Sequence, residues 1–332
     1  MQTTVKHAFS KDALKLDCAA ELDRLMHEIQ RLLASFRRRG LVIGLSGGID
    51  SSVTAALCVA AVGKERVFGL HMPDRDSSPE TLALSQSVSN HFGFASAVEE
   101  ITRVLEAVGC YARQEKAIQL VIPEYAPGWK SKIVLENVLA NKGFNYFSVV
   151  AQAPDGRQLT RRLPLEAYLG IVAATNFKQR ARKMFEYYHA DRLNYGVAAT
   201  PNRLEYDQGF FVKLGDGAGD LKPIAHLYKT QVYQLAEYLG VPEAIRRRPP
   251  TTDTYSLPQS QDEFFFSLPH DKLDLCLYAR NHGIDPALVG PVVGLTAEQV
   301  ERVFHDIDVK RSSTRYLHLK PQLIGEVNEI AL

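Results

Sequence analysis

Ser46-Gly47-Gly48-Ile49-Asp50-Ser51-Ser52 stands between the apolar run Leu41–Leu45 and the apolar stretch Val53–Val62. A strand, a tight glycine turn and a helix start in so short a space form a phosphate cradle. Gly47 and Gly48 let the backbone turn and approach an anion closely. The N–H groups opening the next helix point at that anion, and the helix dipole favours it. Ser46, Ser51 and Ser52 add hydroxyl donors, and Asp50 offers a hard oxygen to Mg²⁺. The loop lacks the lysine of Gly-x-x-x-x-Gly-Lys-Ser/Thr. Its glycines are adjacent, unlike those of a Gly-x-Gly-x-x-Gly dinucleotide fingerprint.

Three later segments are dense in reactive residue types. Asn176, Arg180, Lys183 and Tyr187 recur at i, i+4, i+7 and i+11, on one face of a helix. A cationic face with a tyrosine can grip a carboxylate or a phosphate. Thr200-Pro201-Asn202-Arg203-Leu204-Glu205 follows a strand. It is succeeded by Gly209–Asp220, whose clustered glycines with Asp216 and Asp220 predict a loop shaped for close approach. Glu205 is a candidate second metal ligand beside Asp50. Lys229 stands near a helix start, where the dipole disfavours a cation, so a compensating anion such as an ATP phosphate is expected there.

The elements that must position these residues follow from pattern. Leu22, Leu25, Met26, Ile29, Leu32, Leu33 and Phe36 predict an amphipathic helix over 18–38, stopped by Gly40. Leu41–Leu45 and Val67–His71 read as buried strands and Ser51–Val62 as the crossover helix between them. Ser78-Pro79 starts a further helix that Gly93 ends. Ala95–Glu99 is a short strand, and another helix begins near Thr102. The alternation predicts an α/β fold, a doubly wound parallel sheet with helices on both faces. Residues 111–163 break the pattern. Tyr146–Gln152 and Gln158–Arg162 flank Ala-Pro-Asp-Gly, a hairpin turn signal, so this stretch reads as an insertion carrying a β-hairpin in a single domain spanning 1–332. Beyond it come a long helix over Pro164–Tyr188, a strand at Gly196–Thr200, a helix over Lys229–Leu239, and a helix of about 297–307 opened by a Thr296/Gln299 capping box.

Composition bounds the partners. At 332 residues and 45% hydrophobic the chain can bury a substantial core, and its net charge of +1 argues against nucleic acid. Cys18, Cys58, Cys110 and Cys276 are far apart with no C-x-x-C, which fits a reduced cytoplasmic protein. No apolar stretch has membrane-spanning length.

Ser-Gly-Gly-Ile-Asp-Ser resembles the pyrophosphate loop of the N-type ATP pyrophosphatases, which cut ATP between its α and β phosphates. The chain repeats further motifs: Met72-Pro73 with Ser78-Pro79 soon after, Asn176-x-Lys178-x-Arg180-x-Arg182-x-Met184, and Phe211-x-Lys213-x-Gly215-Asp216-Gly217. Lys222-Pro223-Ile224 with Tyr228-Lys229-Thr230-Gln231, and Leu239-Gly240-Val241-Pro242-Glu243, complete the set. Outside about 111–163 the chain is therefore similar to the ammonia-dependent NAD synthetases. The resemblance implies a homodimer of adenine nucleotide alpha hydrolase-like fold. It implies that ATP, with Mg²⁺, adenylylates the nicotinate carboxylate of deamido-NAD, and that ammonia then displaces AMP.

By matching position, Ser46, Gly48, Asp50 and Ser51 would hold pyrophosphate and Mg²⁺, and Glu205 would be the second Mg²⁺ ligand. Thr200, Lys229 and Thr251 would contact ATP. Arg180, Lys213 and Asp220 would contact deamido-NAD, and Asp216 would lie near the ammonia and the adenylate. Where the family often has His-Lys-Arg, this chain reads Val309-Lys310-Arg311, so Lys310 and Arg311 match. Thr251–Ser256 departs from the family's usual loop. With the insertion, it leaves a different small carboxylate as the alternative acceptor. The polar segments 73–79 and 251–262 are the expected covers of the site. No cysteine is placed for a glutaminase, so the nitrogen is free ammonia or comes from a separate glutaminase subunit.

Overall fold

The computed structural model describes residues 9–135, 146–251, 254–266 and 268–325. Asp17 opens α1 (Cys18–Ser35) by accepting the Ala20 N–H at 3.1 Å, and Leu25, Ile29 and Leu33 form its buried stripe. The alternating units follow: β1 (Leu41–Gly44), α2 (Ile49–Val62), β2 (Val67–His71), α3 (Pro79–Phe92), β3 (Ala95–Val98), α4 (Thr102–Ala107) and α5 (Cys110–Gln119). Next come β4 (Lys130–Leu135), β5 (Phe147–Gln152), β6 (Gln158–Arg162), the long α6 (Leu165–Leu193) and β7 (Gly196–Val197). The remainder is helical: α7 (Arg203–Gln208), α8 (Lys229–Tyr238), α9 (Glu243–Arg246), α10 (His270–Asn281), α11 (Pro286–Val293) and α12 (Ala297–His318).

The parallel sheet has the order β3-β2-β1-β7, with Val42 paired to Phe68 on one side and to Val197 on the other. Side-chain alternation along β1 explains the two helical layers. Leu41 and Ile43 join the core of α1, α2 and α8, with Leu33, Leu57 and Val232. Val42 joins the opposite core, with Leu105, Cys110 and Ala181. The doubly wound expectation therefore holds. The chain leaves β1 for β2 and β3, then returns to β7 on the other side of β1. The order in which strands are added reverses there, and a crevice opens outside the carboxyl ends of the strands.

A second layer lies beside this one. β4, β5 and β6 form an antiparallel sheet packed with α5 and the start of α6 around Ile118, Ile133, Val149, Ala167 and Ile171. The expected hairpin is present as β5 and β6, and the region also holds α5 and a third strand. The polar Arg-Gln-Glu-Lys run in α5 hides the buried stripe of Tyr111, Gln114, Ala117 and Ile118. The strand expected over Gly196–Thr200 stops at Val197. Ala198 makes only a bridge to Leu221, because the chain turns there into the crevice. The helix expected to end near 307 runs on to His318. Among the described residues no helix is long and apolar enough to cross a membrane.

Candidate active site

A cleft of about 380 Å³ opens at the sheet's switch point, lined by Gly48, Asp50, Ser51, Thr200, Glu205 and Lys229 among others. The glycine turn is braced by its own serines. Ser51 Oγ donates to the Gly48 carbonyl at 3.1 Å and lies 3.1 Å from Ser46 Oγ, while Gly48 N–H donates to Ser46 Oγ at 3.3 Å. Gly47 has φ 70°, and a Cβ there would fall 3.0 Å from Leu84 Cβ and 3.1 Å from the Thr81 carbonyl. Gly48 is the N-cap of α2, so no side chain occupies the helix N-terminus. The opening N–H groups and the dipole face the cleft, a geometry suited to an anion. Ser52 departs from expectation. It is fully buried, and its hydroxyl donates to the Gly48 carbonyl at 2.8 Å. Its place on the first turn of α2 points it into the core, so Ser46 and Ser51 are the serines of the cradle.

The charged centre is built from four segments. The Lys229 ammonium, 2% exposed, pairs with Asp50. Asn202 joins the two carboxylates: its Nδ2 donates to Asp50 Oδ1 at 3.1 Å, and its backbone N–H donates to Glu205 Oε2 at 3.1 Å. Gln261 donates to the other Glu205 oxygen at 3.2 Å. Burial, then the Asp50 carboxylate, push Glu205 above the ordinary carboxylate range. Burial alone would lower Lys229, but Asp50 and Glu205 outweigh it and hold the ammonium above 10.5. The anion expected beside Lys229 is thus already supplied. Asp50 pairs with the side chain, and Asp274 caps α8 by accepting the Lys229 and Thr230 N–H groups at 3.2 and 2.6 Å. Two carboxylates with free space between cradle and lysine suit Mg²⁺, which takes one or two protein oxygens and fills the rest from phosphates and water. Among the described residues no group of three or more His, Cys, Asp or Glu could hold a metal by itself.

The far wall belongs to α6 and the 209–220 segment. Asp216 accepts the Val212 N–H at 2.8 Å, and burial pushes its carboxyl up. Lys183 and Glu186, both buried, pair at 2.6 Å on the same wall. Asn176, Gln179, Arg182, Lys183 and Glu186 are the α6 residues that reach this part of the cleft. Arg180 and Tyr187, expected on that face, sit one step further round the helix, against the 211–220 segment. Arg180 donates to the Lys213 carbonyl at 3.3 Å, and Tyr187 donates to Asp220 at 3.3 Å. Asp220 also takes the Val197 N–H at 2.7 Å, and Lys213 reaches the Tyr316 carbonyl at 3.0 Å. These four form an outer group beside the cleft of the single chain. Lys310 does not line the cleft; it is buried behind the lining residue Phe265, bonded to Asp306 at 2.6 Å and to the Phe265 carbonyl at 2.7 Å. Thr251 lines the cleft, while Thr252 and Asp253 lie outside the described residues. Motif spacing found Lys183 on the cationic face, and Lys183 does line the cleft, but it did not single out Asn202, Gln261 and Glu186. Only Asn202 carried a local signal, as the Asn of an Asn-x-x-Glu capping box.

The sequence profile of a family described as NAD synthase matches residues 21–142 and 157–314. An NH(3)-dependent NAD(+) synthetase of Rhizobium meliloti (strain 1021) is 59% identical over 322 residues, covering 97% of this chain and 96% of its own. A protein of the same name from Thermotoga maritima is 36% identical over 255 residues, covering 77% of this chain and 85% of its own. Among solved structures, the NMN synthetase from Francisella tularensis matches with a TM-score of 0.64 at 19% identity, covering 94% of this chain and all 100% of that one. The NH3-dependent NAD synthetase from Campylobacter jejuni matches with a TM-score of 0.61 at 21% identity, covering 93% and 100%. At these identities the likeness to solved structures is one of fold.

Proposed function

The chain belongs to the NAD synthase family, and from that membership we propose how its cleft turns deamido-NAD into NAD. ATP adenylylates the nicotinate carboxylate, pyrophosphate leaves, and ammonia displaces AMP. The observation that carries this is the open N-terminus of α2 facing Asp50, Glu205 and Lys229 in one cleft. Ser46, Ser51 and the amides after Gly47 and Gly48 cradle the phosphates. Thr200 and Thr251 contact the nucleotide. Lys229 holds a fixed positive charge where pyrophosphate gathers negative charge. Asp50 and Glu205 are the residues that would hold Mg²⁺, which supplies charge neutralisation on the phosphate oxygens when bound. Asp216, raised by burial, takes the proton that ammonium must lose before its nitrogen can attack.

Phosphorus NMR of the reaction with ATP and deamido-NAD is expected to show AMP and pyrophosphate only. ADP with orthophosphate would refute the assignment. A different small carboxylate is not favoured, because relatives 57–59% identical over nearly the whole chain are named for NAD synthesis. Nitrogen enters as ammonia, free or handed over by a separate glutaminase. Burial pushes the Cys58 and Cys276 thiols up to about 12 and Cys110 to about 11, and Cys18 is also raised. The thiolate is the nucleophile, so none of these is set up to attack glutamine. The four free cysteines and this metabolism support a cytoplasmic protein as our reading.

Arg180, Tyr187, Lys213 and Asp220 then fall to the dinucleotide at the outer end of the cleft, with Lys310 bracing the nearby C-terminal helix. The layer of α5 and β4 to β6 meets the cleft through Tyr168, Tyr255 and Phe264, which join its core and line the cleft. α6 presents Leu165, Leu169, Met184 and Tyr188 to solvent, each more than half exposed. Such a row suits the helix for a homodimer contact together with α1. Light scattering at micromolar protein is expected to give twice 37.0 kDa. A fully active monomer would refute the dimer.

Gly47→Ala is expected to raise the KM for ATP by roughly tenfold, because a left-handed φ and a Cβ against the Thr81 carbonyl both displace the cradle. Steady-state kinetics check this, and an unchanged KM would separate Gly47 from phosphate binding.

A further inference from the structure

We propose that Lys178 is a positioning residue that ties two walls of the nucleotide cleft, the 72–81 segment and Thr254–Tyr255, into one unit that keeps water from the adenylate. This rests on the amide-forming reaction above and concerns a residue that does not touch substrate. Lys178 is fully buried on α6 and lies behind the cleft lining. Its ammonium donates to Asp74 Oδ1 at 3.1 Å, to Asp76 Oδ2 at 2.7 Å and to the Thr254 carbonyl at 3.0 Å. Those three acceptors use all three of its protons. Asp74 and Asp76 belong to the segment whose Pro73, Ser77 and Thr81 line the cleft. Thr254 and its neighbour Tyr255 line the cleft themselves.

The first segment is braced to hold its shape. Asp74 N–H donates to Ser77 Oγ at 3.1 Å, Asp76 N–H donates to Asp74 Oδ1 at 2.9 Å, and the Arg75 guanidinium lies 3.4 Å from the centre of the Tyr111 ring. Arg182, one turn beyond Lys178, holds the same segment through the Met72 carbonyl at 3.2 Å and Asp74 Oδ2 at 2.9 Å. Of these two cations, Lys178 is the one that reaches Thr254. A buried ammonium adds little stability over a well-packed apolar side chain. What it adds is direction: three bonds that hold only while both segments keep one mutual placement.

The chemistry gives that placement a consequence. In the productive step the nitrogen of ammonia bonds to the carbonyl carbon and the bond to AMP breaks. If water enters, its oxygen takes that carbon instead, returning the carboxylate, AMP and a proton. Pyrophosphate has then been released without an amide. A loosened pair of segments leaks by this route.

Lys178→Met keeps the apolar stem and removes the link. With ATP, ammonium and deamido-NAD, wild type is expected to release about one pyrophosphate per NAD, and Lys178→Met about three or more, with the KM for ATP raised several-fold. A role in stability alone would lower both products together and leave the ratio at one. A folded Lys178→Met protein with a ratio of one overturns the proposal. Asp76→Ala removes one of the three bonds at the better exposed end. It is expected to raise the ratio in the same direction, and it decides the matter if Lys178→Met does not fold: a ratio of one there overturns the proposal too. Wild type that makes no NAD would sink the assigned reaction instead, so the two failures are distinguishable.

Discussion

Lys229→Met is expected to lower kcat by about 10³-fold, about 4 kcal/mol of transition-state stabilisation, while far-UV circular dichroism stays native. The methionine fills the buried channel of the lysine stem and removes only the charge. In the protein that charge is kept by Asp50 and Glu205 against the effect of burial. On the proposed assignment it stands fixed where the departing pyrophosphate becomes more negative, so it needs no reorganisation during the reaction. A poorly hydrated site also strengthens it relative to a surface lysine. Asp50→Asn and Glu205→Gln are expected to lose at least about 10²-fold, each removing one carboxylate from the same centre. Turnover by Lys229→Met within tenfold of wild type, as a rough bound set by the same scale, would remove Lys229 from the phosphate site.

Asp74→Ala is expected to cost about 3 kcal/mol or more of folding stability, because it strips the carboxylate from two buried cations. Asp74 is 5% exposed and accepts from Lys178, Arg182 and the Asp76 N–H, with the Tyr111 hydroxyl 3.4 Å away. After its loss Lys178 keeps Asp76 and the Thr254 carbonyl, and Arg182 keeps only the Met72 carbonyl among these partners. The melting temperature should fall by about 4–5 °C. The pH dependence has a definite sign. Burial raises the Asp74 carboxyl, but Lys178 and Arg182 outweigh burial and hold it below its ordinary 3.8. A depressed folded-state value means the stabilisation is complete above the unfolded value and is lost as pH falls through the folded one. Wild type should therefore lose this part of its stability on acidification below about pH 4, and Asp74→Ala should be flatter there. Melts at a series of acidic and neutral pH values check both. A variant that melts within about 2 °C of wild type at neutral pH would show the network to be unimportant for stability.

Features written in a few consecutive residues were legible from the chain alone. The left-handed φ of Gly47, the uncapped start of α2, the Ser78-Pro79 opening and the Thr296/Gln299 box each depend on neighbours within one turn. The alternation of strand and helix units already implied a sheet covered on both faces, as Leu41 and Ile43 in one core and Val42 in the other show. Motif order further gathered Ser46, Asp50, Thr200, Glu205, Lys229 and Thr251, and all six line one cleft.

What the chain alone left undecided is which distant charges meet, and which way a borderline helical position turns. Lys229 was legible as a cation in need of an anion. That Asp50, 179 positions away, supplies it and that Asp274 caps its helix came only with the fold. The Lys178 network joins residues separated by 104, 102 and 76 positions. Arg180 and Tyr187 carried the right periodicity and still miss the cleft, because a small rotation of a long helix decides between the cleft and the 211–220 segment. Ser52 shared the composition of its loop and was turned inward by the first turn of α2. Local preferences fix turns, caps and alternation through contacts within a few residues. The pairing of buried charges is set by how the layers pack, since each ion must find its partner from whatever segment that packing brings beside it.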